Sequence, residues 1–187
     1  KEFVKVTHKA TELVGHNGDR FDLKWIKTRC LFHRIPVPPE HTTIDTLKQV
    51  KKHFYLNSNT LDYVGKFLGV GGKQATGGFD LWKDIVLHKD KKAMDKMVDY
   101  CKRDVIMLEE IHKELNNYID QKFNYATYHG GEGWECPECG STHVHINKTR
   151  TTKLGTIRRE MKCKSCKKHY TISNKKLQGY YDFKMKK

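Results

Sequence analysis

The chain has 187 residues, 37% of them hydrophobic, and carries a formal net charge of +14. This length accommodates one domain of ordinary size and a small appendage, and the hydrophobic content is sufficient for one core. No apolar run approaches the roughly 18 residues that a membrane span requires, and no secretory signal pattern opens the chain, so we expect a soluble, intracellular protein of the cytoplasm without a membrane partner.

The positive charge is concentrated at one end of the chain. Residues 148–187 contain fourteen Lys or Arg and two acids, a balance of +12, whereas residues 1–147 contain 22 basic and 20 acidic residues, a balance of +2. A charge excess confined to one end indicates a surface for a polyanion, most simply a nucleic acid. A solvated, partly disordered tail is the alternative. Rings among the cations favour single-stranded bases, and here they are Tyr170, Tyr180, Tyr181 and Phe183.

The first predicted strand ends in a polar corner. Residues 2–13 are predicted to form a helix leading into a short buried strand that ends at Val14, and residues 21–32 are predicted to form the next helix. Asn17 and Asp22 lie at this strand-to-helix corner, where Gly18 permits a turn that can aim side chains into a cleft. Asp22 is therefore a candidate metal ligand.

The middle of the chain is predicted to be mainly helical. Residues 42–54 fit a short extended entry followed by an amphipathic helix. Asn59 or Thr60 can cap a helix over 61–68. From 81 to 115 the apolar spacing is helical almost throughout.

A second polar pair lies on this last predicted helix. Tyr100 and Asp104 are four residues apart, so their side chains stand one turn from each other on the same face. A phenol beside a carboxylate can orient a water molecule on a metal ion that the carboxylate holds. The same spacing is also typical of a surface hydrogen bond, so the pair indicates a catalytic site only together with the corner at 16–22.

Together the two stretches resemble the second and third exonuclease motifs of the DnaQ-like superfamily, the DEDD nucleases built on a ribonuclease H-like fold. The sequence His-Asn-Gly-Asp-Arg-Phe-Asp at 16–22 is similar to the Asn-x-x-x-Phe-Asp motif, and Tyr100-x-x-x-Asp104 is similar to the tyrosine-bearing third motif. Residues 43–47 and 61–69 are similar to segments of exonuclease domains related to family B polymerases. The resemblance covers roughly residues 10–118 and implies an α/β fold with a mixed sheet flanked by helices.

The resemblance also implies a 3′–5′ exonuclease that hydrolyses phosphodiester bonds with two metal ions. Two divalent ions about 3.5–4 Å apart stabilise the attacking hydroxide and the leaving oxygen, and Mg²⁺ or Mn²⁺ suits such oxygen-rich sites. By resemblance, Asp22 and Asp104 would be two of four carboxylate ligands. Tyr100 would position the attacking water, and Asn17 would shape the cleft or touch the substrate.

The family's first motif, an Asp-x-Glu pair on the opening strand, has no counterpart in residues 1–15, where Glu2 and Glu12 are the only acids. A ribonuclease H-like sheet without its opening hairpin would leave a buried strand edge unpaired. We therefore expect the opening strands and their motif to precede Lys1. A degenerate nuclease fold is the alternative.

Four polar residues near the motifs are predicted to have structural roles. Asp45 and Asp62 are expected to be cap or turn residues rather than metal ligands. His16 is expected to be satisfied within the sheet, and Asp19 is expected to face solvent.

Two Cys-x-x-Cys pairs provide the strongest local signal, and they are Cys136 with Cys139 and Cys163 with Cys166. Four thiolates in two such pairs can close tetrahedrally on Zn²⁺. Two disulfides are a poor alternative because nothing indicates secretion, and redox-active pairs would lack the expected surroundings. Because a complete four-cysteine set has no open coordination position, the zinc would be structural. His143 and His145 are ligands in principle, but the set leaves them no vacancy.

The region around these cysteines resembles a zinc ribbon, with strands near 142–149, 155–161 and 169–173. Such a small unit cannot bury enough apolar area alone, so metal binding would supply its folding free energy. Its strands would present a phosphate-binding surface made of Lys148, Arg150, Lys153, Arg158 and Arg159.

The predicted organisation is an α/β nuclease domain at 1–124, a linker at 125–133, a zinc ribbon at 134–174 and a basic tail at 175–187. We predict a 3′–5′ exonuclease whose basic ribbon holds the nucleic acid, with DNA favoured over RNA as the partner. A non-catalytic nucleic-acid-binding protein on a degenerate nuclease fold is the first alternative. An adaptor that uses the ribbon for protein docking is the second.

Overall fold

The computed structural model describes residues 1–37, 41–72, 78–119 and 123–186. The chain folds into two compact units, residues 1–119 and residues 120–187. No helix in these described ranges has the length and apolar character needed to cross a membrane.

The N-terminal unit is a parallel β-α-β arrangement followed by helices. Its elements are α1 (Glu2–Thr7), β1 (Glu12–Gly15), α2 (Asp22–Phe32), β2 (Thr42–Asp45), α3 (Thr46–His53), α4 (Leu61–Leu68), α5 (Phe79–Leu87) and α6 (Lys91–Leu115). Strands β1 and β2 pair in parallel, with Val14 opposite Ile44, and α2 provides the crossover between them. Within the described residues this unit therefore has a two-stranded parallel sheet, whereas the sequence predicted a mixed one.

Two helices differ from their predicted extents. The helix predicted over 2–13 ends at Thr7 as α1, because the residues from Glu12 extend to pair with β2. The helix predicted over 81–115 is divided into α5 and α6, because Lys89 takes a left-handed conformation with φ 50°. Asp90 then caps α6 by accepting hydrogen bonds from the backbone N–H groups of Lys92 and Ala93.

The core of the N-terminal unit lies between β2 and helices α3, α4 and α6. Its buried residues are Ile44, Val50, Val64, Met107, Ile111, Leu115 and Ile119. Gly65 lets α4 approach α6 closely, since a Cβ at this position would lie 2.8 Å from Met107 Sδ and 2.7 Å from the carbonyl oxygen of Gly71. This packing fixes the position of α6 relative to α4.

The C-terminal unit is a small antiparallel sheet between two helices in the sequence. Its elements are α7 (Tyr125–Tyr128), β3 (Val144–Thr151), β4 (Ile157–Cys163), β5 (His169–Ile172) and α8 (Asn174–Met185). The strands occur in the order β3-β4-β5, and all three lie where the sequence predicted strands. The core of the unit includes Trp134, Val144, Met161, Ile172 and the buried cysteines Cys136 and Cys163.

Two segments of this unit are more ordered than the sequence predicted. Within the predicted linker 125–133, residues 125–128 form α7, and the N–H of Tyr125 donates to the carbonyl oxygen of Pro137 at 2.7 Å. Residues 175–185 of the segment predicted as a basic tail, 175–187, lie in α8. Apolar residues at helical spacing explain this helix, because Leu177 and Tyr180 are buried among the core residues around Trp134.

Candidate functional sites

The predicted strand-to-helix corner is present in the N-terminal unit. Strand β1 ends at Gly15, and Asp22 is the first residue of α2. Asn17 takes a left-handed conformation with φ 66°, which asparagine tolerates better than most residues. A Cβ at Gly18 would lie 3.9 Å from Asp22 Oδ2, so the loop turns back close to this carboxylate, which is exposed at the start of the helix.

The buried carboxylate of Asp45 anchors the corner loop through hydrogen bonds to its backbone. Asp45, only 2% exposed, accepts hydrogen bonds from the backbone N–H groups of Asn17 at 2.9 Å and Asp19 at 3.3 Å. It also caps α3 by accepting from the N–H groups of Leu47 at 3.1 Å and Lys48 at 3.4 Å. The predicted cap role is confirmed, and the bond to the corner loop is an additional role that the sequence analysis missed.

His16 and Asp19 join the same loop to neighbouring elements. His16 is satisfied as predicted, but by α3 and the segment before α4 and not within the sheet, with Nδ1 2.9 Å from Thr46 Oγ1 and Nε2 3.0 Å from the carbonyl oxygen of Asn59. The prediction that Asp19 faces solvent is wrong, because its side chain is 21% exposed and forms a 2.7 Å ion pair with Lys48. The hydrogen bond that Lys48 Nζ donates to this carboxylate raises the pKa of Lys48.

We expect the Asp45→Ala variant to lose about 2–4 kcal/mol of unfolding free energy. The substitution leaves buried backbone N–H groups without a hydrogen-bond acceptor, which costs about 1–3 kcal/mol of unfolding free energy. It also removes a helix cap worth about 1 kcal/mol. Urea denaturation followed by far-UV circular dichroism measures this loss. Asp80→Ala is the matched control, because Asp80 is 81% exposed and forms only a surface pair with Lys83; equal losses for the two variants would contradict the anchoring role.

The second predicted motif lies on α6. Tyr100 and Asp104 are half-buried, and they share a helix face with the buried residues Met107 and Ile111. Asp99, by contrast, is 63% exposed. The motif side chains therefore lie on the packed side of α6 rather than on its solvent side.

Within the described ranges, only the four cysteines form a group of three or more His, Cys, Asp or Glu side chains compact enough to hold a metal ion. Neither Asp22 nor Asp104 belongs to such a group there. A catalytic site for two ions would therefore need carboxylates in addition to these two.

The four cysteines form a compact cluster in the C-terminal unit. The Sγ atoms of Cys136, Cys139, Cys163 and Cys166 lie within 4.8 Å of one another, with 3.5 Å between Cys136 and Cys166 and 3.8 Å between Cys139 and Cys163. These distances exceed the roughly 2.05 Å of a disulfide bond. Sulfur atoms at tetrahedral positions about 2.3 Å from one Zn²⁺ ion would stand about 3.8 Å apart, so the spacing fits this ion.

Burial and backbone N–H groups shift the pKa values of the cluster's thiols in different directions. Burial opposes ionisation of Cys163, but N–H groups of Cys166 and Ser165 donate to its sulfur, and its pKa is lowered to about 7. Burial raises the pKa of Cys136, and it raises that of Cys166 to about 11. Since a coordinating divalent cation deprotonates thiols outright, such an ion would convert this mixed set into four thiolate ligands.

The basic residues of the C-terminal sheet lie on two different faces. Arg150 pairs with Arg158, and Lys148 pairs with Glu160, across β3 and β4; directly paired and alternate residues share one face. Arg159 points to the other face, the side of the buried Met161. The structure therefore brings Lys148, Arg150 and Arg158 together and separates Arg159 from them.

One further basic residue and one acidic residue lie on this face. Lys162 of β4 lies opposite His145 of β3 and extends the basic face beyond the predicted residues. Glu160 lies at its centre, accepting hydrogen bonds from Asn147 at 2.8 Å and contacting His169 Nδ1 at 3.2 Å and Arg150 Nη2 at 3.5 Å. Hydrogen bonds from Asn147 and His169 lower the pKa of Glu160. Lys153 is exposed in the turn between β3 and β4.

A comparison with protein families places the N-terminal part of the chain. A family model described as the RNase_H superfamily matches residues 1–116, which is more than half of the chain and covers both motif stretches. No curated protein and no solved structure matches the chain significantly.

Proposed function

Because this chain belongs to the RNase H superfamily, we propose that it is a nuclease, and specifically a 3′–5′ exonuclease of the DnaQ-like group. The observation that carries the proposal is the family match itself, because it spans both the corner at 16–22 and the Tyr100-x-x-x-Asp104 motif. The substrate in this proposal is a nucleic acid, with DNA favoured over RNA.

The proposed catalytic residues supply the groups that such a reaction needs. Asp22 and Asp104 would provide carboxylate oxygens, the hard ligands that Mg²⁺ and Mn²⁺ prefer. Two bound ions would stabilise negative charge on the entering and leaving oxygens. The Tyr100 hydroxyl would orient the attacking water through a hydrogen bond, and Asn17 would contact the substrate from the corner loop. An Asp-x-Glu pair, as in the family's first motif, would supply the other two carboxylate ligands.

The four-cysteine cluster is proposed to hold a structural Zn²⁺ ion in a zinc ribbon. Sulfur spacing and thiol chemistry support this assignment. The ribbon would bind the phosphate backbone through the face of Lys148, Arg150 and Arg158, with Lys153 at its edge. Arg150 and Arg158 are directly opposite each other, and like charges at such positions repel, so a bound polyanion would relieve this repulsion.

One observation favours a second function. Neither Asp22 nor Asp104 belongs to a group of three or more potential metal ligands within the described residues, as expected for a nuclease fold that binds nucleic acid without cleaving it. The basic face of the C-terminal unit would then carry the activity of the protein.

The direction of cleavage tests the proposal. A 5′-labelled single strand with a free 3′ end should shorten progressively in Mg²⁺ or Mn²⁺ and stay intact when neither ion is added. The same strand with a blocked 3′ terminus should resist. Binding without any product would support the non-catalytic function, and equal cleavage of free and blocked ends would contradict the 3′–5′ direction.

A further inference from the structure

Helix α2 exposes an aromatic stripe, which we define as Phe21, Trp25, Arg29 and Phe32. With about 100° of rotation per residue, these positions fall within about 80° of the helix circumference. The three rings remain largely open to solvent, with exposures of 66% for Phe21, 58% for Trp25 and 74% for Phe32. Contiguous exposed apolar surface of this kind marks an interaction site more often than a lone exposed ring does.

A cation connects two of the rings into one surface. The guanidinium of Arg29 lies 5.7 Å from the ring centroid of Trp25 and 5.4 Å from that of Phe32. The same side chain approaches His33, with 3.0 Å between Arg29 Nη2 and His33 Nε2. The stripe is therefore a row of flat groups that combines three aromatic rings with one guanidinium, which is the composition of a base-stacking platform.

The charge around the stripe favours a polyanion. Residues 20–34 contain five basic residues and one acid, a balance of +4. The acid is Asp22, which lies at the start of the same helix. A second copy of this chain would bring the same positive charge to the surface, so self-association through the stripe is electrostatically disfavoured.

A groove adjoins the aromatic stripe on the side that faces α1. It has a volume of about 220 Å³ and lies between α1 and α2, and its lining includes Phe3, Trp25, Arg29 and His33. These side chains combine aromatic faces with guanidinium and imidazole nitrogens, the groups that stack on unpaired bases and hydrogen-bond to their edges. Paired bases in a duplex are already stacked and cannot present their faces to such a groove.

We propose that the aromatic stripe of α2 binds single-stranded nucleic acid and directs the strand along the helix toward Asp22. The stripe belongs to the N-terminal unit, so it shares no residue with the basic face of the C-terminal sheet. The proposal rests on the proposed function for its choice of a nucleic acid as the partner. The binding itself requires no cleavage.

The test measures binding by the protein in a buffer with no added Mg²⁺ or Mn²⁺ and no chelator, so that cleavage lacks its divalent ions and the C-terminal unit keeps its zinc. The probes are fluorescently labelled oligo(dT), oligo(rU) and a blunt DNA duplex, followed by anisotropy. Trp25→Ala combined with Phe32→Ala should weaken binding of at least one single strand about tenfold and leave the duplex affinity unchanged. The slope of log affinity against log salt should stay the same, because rings and not phosphate contacts are lost.

Three variants serve as controls. Trp25→Phe retains an aromatic face and should bind within about twofold of the unchanged protein. Leu31→Ala removes an exposed apolar group from α2 outside the stripe, and Phe67→Ala removes an exposed ring from α4; neither should change the affinity. Unchanged far-UV circular dichroism and thermal midpoint of the double variant separate lost stacking from lost folding.

Two results would overturn the proposal. One is single-strand affinity of the double variant equal to that of the two controls outside the stripe. The other is unchanged affinity accompanied by a shift from dimer to monomer in sedimentation velocity, which would make the stripe an interface between copies. Loss of affinity in a protein that never cleaves its substrate would support the stripe while contradicting the exonuclease function, so the two proposals fail separately.

Discussion

Replacing Asp104 with Asn should reduce the rate of nucleotide release by about a hundredfold or more, with little change in single-strand affinity. Asn keeps the size of the side chain but removes the negative charge that a divalent cation requires. Loss of partners outside the ligand shell of a metal site already costs about 10–100-fold, so loss of a direct ligand should cost at least as much. Asp22→Asn should give a loss of the same order, measured as initial rates on a 5′-labelled strand in Mg²⁺.

A matched control exists on the same helix. Asp99 also lies on α6, but its side chain is 63% exposed and pairs only loosely with Lys102, at 3.8 Å. Asp99→Asn should retain the full rate. If Asp104→Asn cleaves as fast as Asp99→Asn, the assignment of Asp104 is wrong, whereas slow cleavage by all three variants would indicate a general effect of charge on the substrate.

Loss of the bound metal ion should unfold the C-terminal unit and leave the N-terminal unit folded. Cys136 and Cys163 are fully buried members of the C-terminal core, so the proposed ligands of the ion also form part of the hydrophobic core. Apparent binding free energies of structural zinc sites are about 10–16 kcal/mol, far more than such a small core supplies alone. Chelation, or Cys163→Ser, should therefore remove one equivalent of zinc and expose Trp134, measured by metal analysis and by a red shift of tryptophan emission.

The remaining cysteines give the control for this experiment. Cys101 is exposed on α6, and Cys101→Ser should bind one equivalent of zinc like the unchanged protein. We also expect Cys163→Ser to weaken nucleic-acid binding more than it slows cleavage at saturating substrate. A Cys163→Ser protein that retains a full equivalent of zinc and a buried Trp134 would refute the structural zinc site.

Local sequence signals predicted much of the N-terminal unit. The helix α4 begins after Thr60, whose side chain accepts from the N–H of Tyr63, and ends at Gly69 with φ 71°; both signals act within a few residues of the helix ends. The cap of α3 by Asp45 is equally local. The bonds from Asp45 to the corner loop span 26 and 28 residues, and nothing near Asp45 in the sequence indicates them.

The zinc motif could be predicted from local sequence, whereas the basic face could not. Each Cys-x-x-Cys pair is a local turn, so spacing alone predicted that four sulfurs could meet. The basic face depends instead on strand register, and a bulge between Ile146 and Lys148 shifts the pairing of β3 with β4. Because neighbouring residues on a strand point to opposite faces, Arg158 and Arg159 could not be assigned to faces before the register was known.

The anchoring of the corner loop by Asp45 determines which positions around the loop can tolerate substitution. The loop is shaped from the interior through its backbone N–H groups, so the identity of its solvent-facing side chains matters little to its shape. Natural or engineered variants should accept diverse residues at Arg20, which is exposed, and thereby change which substrates are preferred. Asp45 has no such freedom, and a library selected for activity should retain it almost without exception.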